Sequence, residues 1–346
     1  MADLQDESED GLPAVGVPDV PGPVVTGALE RAAALLAEHP VADGCNTLAW
    51  TLRQMPYHDT DTDLPRLRAG AVGAQFWSLL TSSVGDRVVA DTLEQIDLAH
   101  EMIGRYPDEM RLALNADDMA DARNRGRIAS FLGPVHGACV TDGLGTLRAF
   151  HALGVRSLAP AGAAWAQEGL TAFGHEVIRE MNRLAMLVDL TGCRPEVACQ
   201  IAGASRAPVV ISHTAAAALT PHPANVPDEV LVALRAANGL VMVTFAADQT
   251  GDSLHAVADH LDHVRSVAGP QCVGLGAAFG ADSGNGNSGN GHPAGLTDPS
   301  GYPRLVAELL ERGWPEADLA MLAWDNAQRV LRDAEFTSRA ANHRKA

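Results

Sequence analysis

Residues 208–245 carry the stretch that decides the fold, PVVISHTAAAALTPHPANVPDEVLVALRAANGLVMVTF. Its two ends, residues 209–213 and 240–245, are short and almost entirely apolar, which is typical of strands buried on both faces of a parallel sheet. Between them, residues 228–237 have the amphipathic pattern of a helix. A strand, a helix and a second strand in this order predict a parallel βαβ unit.

The same alternation extends outward along the chain. Apolar runs are separated by amphipathic segments, and further helices are predicted over residues 27–38, 174–184, 253–268, 301–313 and 316–334. The predicted strands are residues 41–46, 71–78, 128–133, 155–160, 185–190, 209–213, 240–245 and 272–279. Eight strands separated by helices favour a single α/β domain, a closed (β/α)8 TIM barrel, with an open doubly wound sheet as the alternative.

The barrel is predicted to cover residues 24–336, and no second domain is indicated. Residues 1–23 are acidic and rich in Pro and Gly, which predicts a flexible tail, and residues 337–346 form a second, polar tail. Residues 280–295, GADSGNGNSGNGHPAG, predict a flexible loop because they offer little that can pack. In a barrel this loop follows the eighth strand and hangs over the end where active sites form.

Charge and composition exclude several kinds of partner. The net charge of −18 over 346 residues argues against nucleic acid and against an anionic membrane surface. The chain has no apolar run of eighteen residues, and its acidic first residues predict no secretory signal. Its five cysteines form no CxxC pair, which predicts reduced thiols in the cytoplasm. The preference for Arg over Lys is typical of a high-GC bacterial source.

The ends of the predicted strands are where barrel chemistry is expected. A hydrolytic metal site there needs several imidazoles and carboxylates around an open coordination position. His213, after the sixth strand, is the clear candidate, although a lone histidine is more often structural. Asp189 ends the fifth strand, where a buried carboxylate has to be hydrogen-bonded, and we expect it to brace the loop backbone.

Four longer blocks resemble the membrane dipeptidase (renal dipeptidase, peptidase family M19) family. Together with DGCNTLAW (residues 43–50) and YPRLVAELLERGW (302–314), they extend the resemblance over about residues 41–334. The blocks are GAVGAQFWSLL (70–80), GLTAFGHEVIREMNRLAMLVDL (169–190), the stretch over residues 208–245 quoted above, and VADHLDHVRSVAGPQCVGLG (257–276). The resemblance implies a metal-dependent-hydrolase type of barrel, a two-zinc site, hydrolysis of dipeptides and a homodimer.

Carried over position by position, the family's metal ligands are mostly absent. Cys45 and Thr47 stand where the family has the His and Asp of its first zinc-binding pair. Val135 stands at the Glu that bridges both metals, and Gly192 at a further His. Only His213 keeps the family's residue type.

The residues that the family uses on its substrate are replaced as well. Ala224 stands at the Arg that binds the substrate carboxylate, and Ala278 at the Asp that acts on the catalytic water. Gly162 stands at a His that contacts the reacting group. His136 lies one position away from the family's pattern, so that only a loop shift could return it to the site. We therefore assign Cys45, Thr47, Val135, Gly162, Gly192, Ala224 and Ala278 to a substrate pocket with altered chemistry.

The loss of carboxylates bears directly on the two-zinc site. Two dications about 3.5 Å apart repel each other by about 19 kcal/mol at an effective dielectric constant of about 20. Bridging and terminal carboxylates offset this repulsion in the family, and Val135, Thr47 and Ala278 supply no such charge. The sequence therefore predicts that most of the zinc site is degenerate, so that zinc is expected only if part of the site survives.

Three interpretations follow for this pocket. The leading one is a pseudoenzyme, a non-catalytic homologue that binds a peptide-like ligand or a protein partner, with Cys45 as a pocket filler. The second is an enzyme, either a metallo-dipeptidase or a repurposed catalyst, in which Cys45, Cys193 and His213 hold one zinc with His136 or Cys139, or Cys45 is a nucleophile with His213 as its base. The third is a barrel with neither an activity nor a partner.

Overall fold

A computed structural model describes residues 24–54, 60–79, 85, 87–280 and 291–343. The predicted tail over residues 1–23, the last three residues, and residues 281–290 of the predicted flexible loop lie outside the described residues. No helix in the described ranges is long and apolar enough to cross a membrane. The cytoplasmic location stays a prediction.

Nine parallel strands form one sheet, in the order β2-β1-β9-β8-β7-β6-β5-β4-β3. A further pairing between β2 and β4 closes eight of them into a barrel, which confirms the predicted (β/α)8 fold. The strands are β1 Val41–Asn46, β2 Val72–Leu79, β3 Met110–Leu112, β4 Ile128–His136, β5 Ser157–Ala159, β6 Leu187–Asp189, β7 Val209–Thr214, β8 Leu240–Val243 and β9 Val273–Leu275.

The eight barrel strands are those predicted from the apolar runs, and β3 is the additional one. It pairs only with the first residues of β4, where Met110 lies opposite Ile128. The other end of β4 pairs with β5. A strand of three residues with Arg111 at its centre gives no continuous apolar run, so the sequence pattern does not reveal it.

Helices surround the barrel, and each of the six predicted helical ranges contains helix. They are α1 Val24–Glu38, α2 Leu48–Gln54, α3 Leu64–Ala69, α4 Arg87–Arg105, α5 Ala116–Asn124, α6 Gly145–Ala152, α7 Ala172–Leu184, α8 Pro195–Ala204, α9 Asp228–Ala236, α10 Ala247–Thr250, α11 Leu254–Ala268, α12 Tyr302–Glu311, α13 Glu316–Ala320 and α14 Asn326–His343. A single π-helical segment, Met321–Asp325, joins α13 to α14.

The predicted polar tail is wrong for residues 337–343, because α14 continues to His343. These residues are polar, yet they dock on the end of α7. The Ser338 hydroxyl donates to the carbonyl of Arg183 at 2.6 Å, and the Asn342 amide donates to the same carbonyl at 3.4 Å. Polar side chains therefore satisfy a carbonyl at the end of α7 and hold the last turns of α14 in place.

The core consists of two apolar clusters that share the strands between them. In β2, Phe76 belongs to the smaller cluster and its neighbour Trp77 to the larger one. Phe76 stacks on Phe131 of β4 with ring centroids 4.7 Å apart. Alternate residues of a strand thus face different apolar layers, which is why the strands are apolar throughout.

Candidate functional site

The C-terminal ends of the barrel strands meet at one end of the barrel, where this fold places its active sites. We call the residues at or just beyond these ends the barrel mouth. It comprises Thr47, His136, Gly162, Gly192, His213 and Ala278. Four of these follow or end the strands β1, β4, β7 and β9, and the two glycines lie on the turns after β5 and β6.

Asp43 lies below the mouth and joins the first strand of the barrel to the last. Its Oδ1 accepts hydrogen bonds from the backbone N–H groups of Cys45 at 3.2 Å and Ala277 at 3.0 Å. Burial raises the pKa of Asp43 to about 6, although these hydrogen bonds lower it. The carboxyl therefore holds the backbone of β1 against the segment that follows β9.

Asp189 has the corresponding position at the end of β6. Its Oδ1 accepts from the backbone and hydroxyl of Thr191, at 3.0 and 2.7 Å, and from the backbone N–H of Ser212 at 3.1 Å. The residue is fully buried. The expected role, fixing loop backbone, is confirmed, and the brace also reaches the neighbouring strand β7.

Cys45 and His213 are both at this end of the barrel but have separate partners. The Cys45 Sγ lies 3.3 Å from the Ser78 Oγ, and His213 Nδ1 lies 3.1 Å from the Ser212 Oγ. Burial raises the pKa of the Cys45 thiol and lowers that of the His213 imidazole, so both groups are neutral near pH 7. A nucleophilic thiolate needs the opposite shift, and no hydrogen bond joins these two residues. The predicted pairing of Cys45 with His213 is therefore not formed.

Val135 does not line the mouth, which corrects its assignment to the substrate pocket. The pairing of β4 with β2 shifts between Trp77 and Leu79, so that Val135 lies opposite Leu79. Both side chains are fully buried in the larger apolar cluster. One extra residue in β4 at this shift reverses which side chains face which side.

His136 reaches the mouth because of this shift. Its Nδ1 accepts a hydrogen bond from the backbone N–H of Ala138 at 3.1 Å, which places the ring proton on Nε2. Burial lowers the pKa of His136, so the ring is neutral. A Cβ on Gly162 would lie 2.9 Å from its Cε1 and 3.0 Å from its Nε2. The imidazole therefore occupies the space beside residue 162, and glycine at a φ of +73° leaves room for it.

The other predicted pocket residues lie at the surface of this end of the barrel. Gly192 and Ala224 are exposed, while Thr47 and Ala278 are half-buried. The Thr47 hydroxyl donates to the carbonyl of Phe279 at 3.2 Å, and the backbone N–H of Ala278 donates to the carbonyl of Cys45 at 3.1 Å. Ala278 has a φ of +62°, which alanine adopts at a cost. These residues shape the mouth without adding charge.

Asp61 and His292 form a buried pair that the sequence pattern did not indicate. The Asp61 Oδ2 lies 3.5 Å from His292 Nε2, and both side chains are 7% exposed. The Asp61 Oδ1 accepts from the backbone N–H of Gly280 at 2.7 Å. Neither residue ends a strand, so the pattern of polar residues at strand ends does not reveal them. The one available signal was a histidine inside the Gly/Asn-rich stretch.

The sequence profile of the membrane dipeptidase family (peptidase family M19) matches residues 29–345. The chain belongs to the membrane dipeptidase family. Dipeptidase 3 of Mus musculus is 37% identical to it over 340 residues, which cover 88% of this chain and 66% of the mouse protein. The chain thus spans just under two thirds of the length of this relative.

Solved structures show the same barrel fold. The probable dipeptidase PvdM from Pseudomonas aeruginosa superposes with a TM-score of 0.79 at 18% identity, over 90% of this chain and 99% of that chain. A metallo peptidase from Rhodobacter sphaeroides, liganded with a phosphinate mimic of the dipeptide L-Ala-D-Ala, has a TM-score of 0.74 at 23% identity, over 85% and 99%. At these identities the likeness concerns the fold.

The residues present do not fit the two-zinc site that the membrane dipeptidase resemblance implies. Within the described ranges, no three His, Cys, Asp or Glu side chains lie where they could together hold a metal ion. Val135, at the position of the bridging carboxylate, is an apolar core residue. The described residues therefore offer no zinc-dependent step of the family's type.

The alternative zinc site built on cysteines is not assembled either. Cys139 faces α4, where its Sγ lies 3.4 Å from the Thr92 Oγ1. Burial raises the pKa of Cys193 to about 12, which disfavours the thiolate that a metal needs. Cys45, Cys193 and His213 all lie toward the mouth but form no ligand group there.

Proposed function

We propose that the barrel mouth binds a dipeptide-sized ligand and that the chain does not hydrolyse it by the two-zinc reaction. One observation carries this proposal. The positions where the resemblance implies metal-binding carboxylates and imidazoles hold Cys45, Thr47, Val135 and Gly192, and no group of three ligating side chains replaces them within the described ranges. A barrel that retains its fold but lacks the metal ligands can still bind a small molecule without hydrolysing it.

Two neutral imidazoles supply the polar groups for such a ligand. His136 presents its Nε2–H at the mouth, since its Nδ1 is engaged by the backbone of Ala138. His213 is held through Nδ1 by Ser212, which leaves its Nε2 without a hydrogen-bond partner among the described residues. A neutral N–H donor suits a peptide carbonyl or a terminal carboxylate of a short peptide.

Dipeptide hydrolysis is the second candidate function. Membership of the membrane dipeptidase family and the names of the relatives favour it more directly than they favour binding alone. Any such activity has to use ligands other than those that the family pattern supplies. The homodimer implied by the resemblance also stays a prediction, which light scattering on the purified chain tests.

One experiment separates the two candidates. The purified full chain is incubated with excess Zn²⁺ and L-Ala-D-Ala, bound zinc is counted by elemental analysis, and released alanine and calorimetric binding are both measured. We expect saturable binding without release of alanine, and affinity about tenfold weaker in His136→Ala, since this substitution removes one hydrogen bond. Alanine release with about two zinc ions per chain establishes the dipeptidase instead. If neither binding of the dipeptide nor release of alanine is detected, both candidates are wrong.

A further inference from the structure

A cavity of about 530 Å³ lies on the outer helical layer and shares no residue with the barrel mouth. Its walls come from α6, α7, α14 and the turn that precedes β7. Arg206 in this turn lies at the N-terminal end of β7, whereas His213 lies at the C-terminal end of the same strand. The cavity is therefore separate from the barrel mouth, and its binding properties are independent of the function proposed for the mouth.

Arginine dominates the lining of this cavity. Four arginines and two glutamates contribute, in a chain whose net charge is −18. The arginines are Arg148, Arg179, Arg183 and Arg206. The excess of positive charge is thus local, and the Debye length of about 8 Å at physiological ionic strength confines its field to the cavity.

Two of the four arginines pair with one buried carboxylate. Glu180 accepts from Arg148 at 2.6 Å and from Arg183 at 2.7 Å, and its side chain is only 8% exposed. The pKa of Glu180 falls to about 2 because of these two guanidinium groups. Within the described part of the chain, no carboxylate pairs with Arg179 or Arg206, so two guanidinium groups remain free.

The backbone on which Arg206 stands is fixed before any ligand arrives. Its N–H donates to the Asn182 Oδ1 at 2.8 Å, and the Asn182 amide donates to the Ser205 hydroxyl at 3.1 Å. Across the cavity, the carbonyl of Arg183 is tied to Ser338 of α14. These bonds hold α7, the turn before β7 and α14 together, which lowers the ordering cost of binding.

We propose that this cavity binds a compact, phosphate-bearing small molecule. The guanidinium fork matches phosphate oxygens in a bidentate way, and two such groups remain free to contact it. A volume of about 530 Å³ is in the range of small-ligand sites. The overall negative charge disfavours a long polyanion, which would extend beyond the cavity onto an acidic surface.

Calorimetric titration of the full chain with inorganic pyrophosphate at low ionic strength tests the proposal. We expect one site per chain, with an affinity that falls as salt is added. The double variant Arg179→Ala/Arg206→Ala should bind at least about tenfold more weakly, because it removes both free guanidinium groups. The absence of binding to the wild-type chain overturns the proposal.

A matched control variant separates the cavity from general surface charge. Arg235 and Arg304 are exposed and lie outside the cavity, so Arg235→Ala/Arg304→Ala makes the same charge change elsewhere. Its affinity for pyrophosphate should stay within about twofold of wild type, and thermal unfolding confirms that both double variants are folded. Equal losses in the two double variants contradict a site in the cavity. Citrate that binds as tightly as pyrophosphate contradicts the assignment to phosphate.

Discussion

The two ends of β7 differ in the kind of surface that they carry. At the C-terminal end, His213 stands among neutral and mostly small residues such as Gly192 and Ala278. At the N-terminal end, Arg206 stands in a cavity lined by four arginines. In barrels of this type the C-terminal end carries the chemistry, and the other end is mainly concerned with stability.

This difference indicates that the barrel forms without the charged residues that the resemblance implies at its mouth. Close to the mouth, the buried carboxylates of Asp43 and Asp189 accept hydrogen bonds from backbone N–H groups. The positions that the resemblance assigns to metal and substrate hold uncharged residues, among them Thr47, Gly192 and Ala278. Charged side chains without a carboxylate partner among the described residues lie instead at the opposite end, at Arg179 and Arg206.

The largest effect is expected at the carboxylate brace of the mouth. Asp189→Ala removes the acceptor of the Thr191 N–H and hydroxyl and one of the two acceptors of the buried Ser212 N–H, and it should lower the free energy of unfolding by about 3 kcal/mol, measured by urea denaturation. Asp189→Asn keeps an oxygen acceptor in place and should cost about 1 kcal/mol. A loss below about 1 kcal/mol in the alanine variant contradicts the structural role of Asp189.

An intermediate effect is expected where His136 and Gly162 share space. Gly162→Ala combines a positive φ with a Cβ about 3 Å from the imidazole, and it should destabilise the chain by about 2 kcal/mol. The same substitution in a His136→Ala background should cost about 1 kcal/mol, since only the backbone strain remains. Equal costs in both backgrounds show that the ring does not occupy this space.

The smallest effect is expected at the opposite end, and it depends on pH. The pKa of Glu180 falls from its ordinary value of 4.5 to about 2 on folding, so its contribution is fully present above pH 4.5 and is lost as the pH falls toward 2. Since its partners are 54% and 30% exposed, Glu180→Gln should cost only about 1–2 kcal/mol at pH 7.

Urea denaturation at pH 7 and at pH 3 checks this, with Glu176→Gln as the control. Glu176 lines the same cavity from the same helix but pairs with no arginine in the described part of the chain. Its variant should unfold like the wild type at both pH values. A cost for Glu180→Gln that does not shrink at pH 3 contradicts the ion-pair account.

The fold was largely predictable because burial on two faces leaves a strong pattern in the sequence. All eight barrel strands followed from continuous apolar runs, while β3 was missed because Arg111 interrupts its three residues. The last turns of α14 were missed for a different reason. Their own hydroxyl and amide side chains, Ser338 and Asn342, donate to a backbone carbonyl of α7, and such polar contacts produce no apolar periodicity.

The site was predictable in residue type but less so in geometry. The resemblance assigned His213 and the replaced positions around it, and the backbone role of Asp189 followed from burial of a carboxylate. The shift in β4 that buries Val135 and brings His136 to the mouth was not predictable, because one extra residue in a strand leaves residue types unchanged. The pairing of Asp61 with His292 depends on segments far apart in sequence.

The hydrogen bond from the Ala277 backbone to Asp43 also has a consequence for the order of folding. It joins residues 234 positions apart, across the seam between β1 and β9. Closing a chain loop of that length costs about 5 kcal/mol in entropy beyond the constant term. During synthesis, β1 must wait for nearly the whole domain before this partner exists. The seam is therefore expected to be the last part of the barrel to close on the ribosome and, in mild denaturant, the first to open.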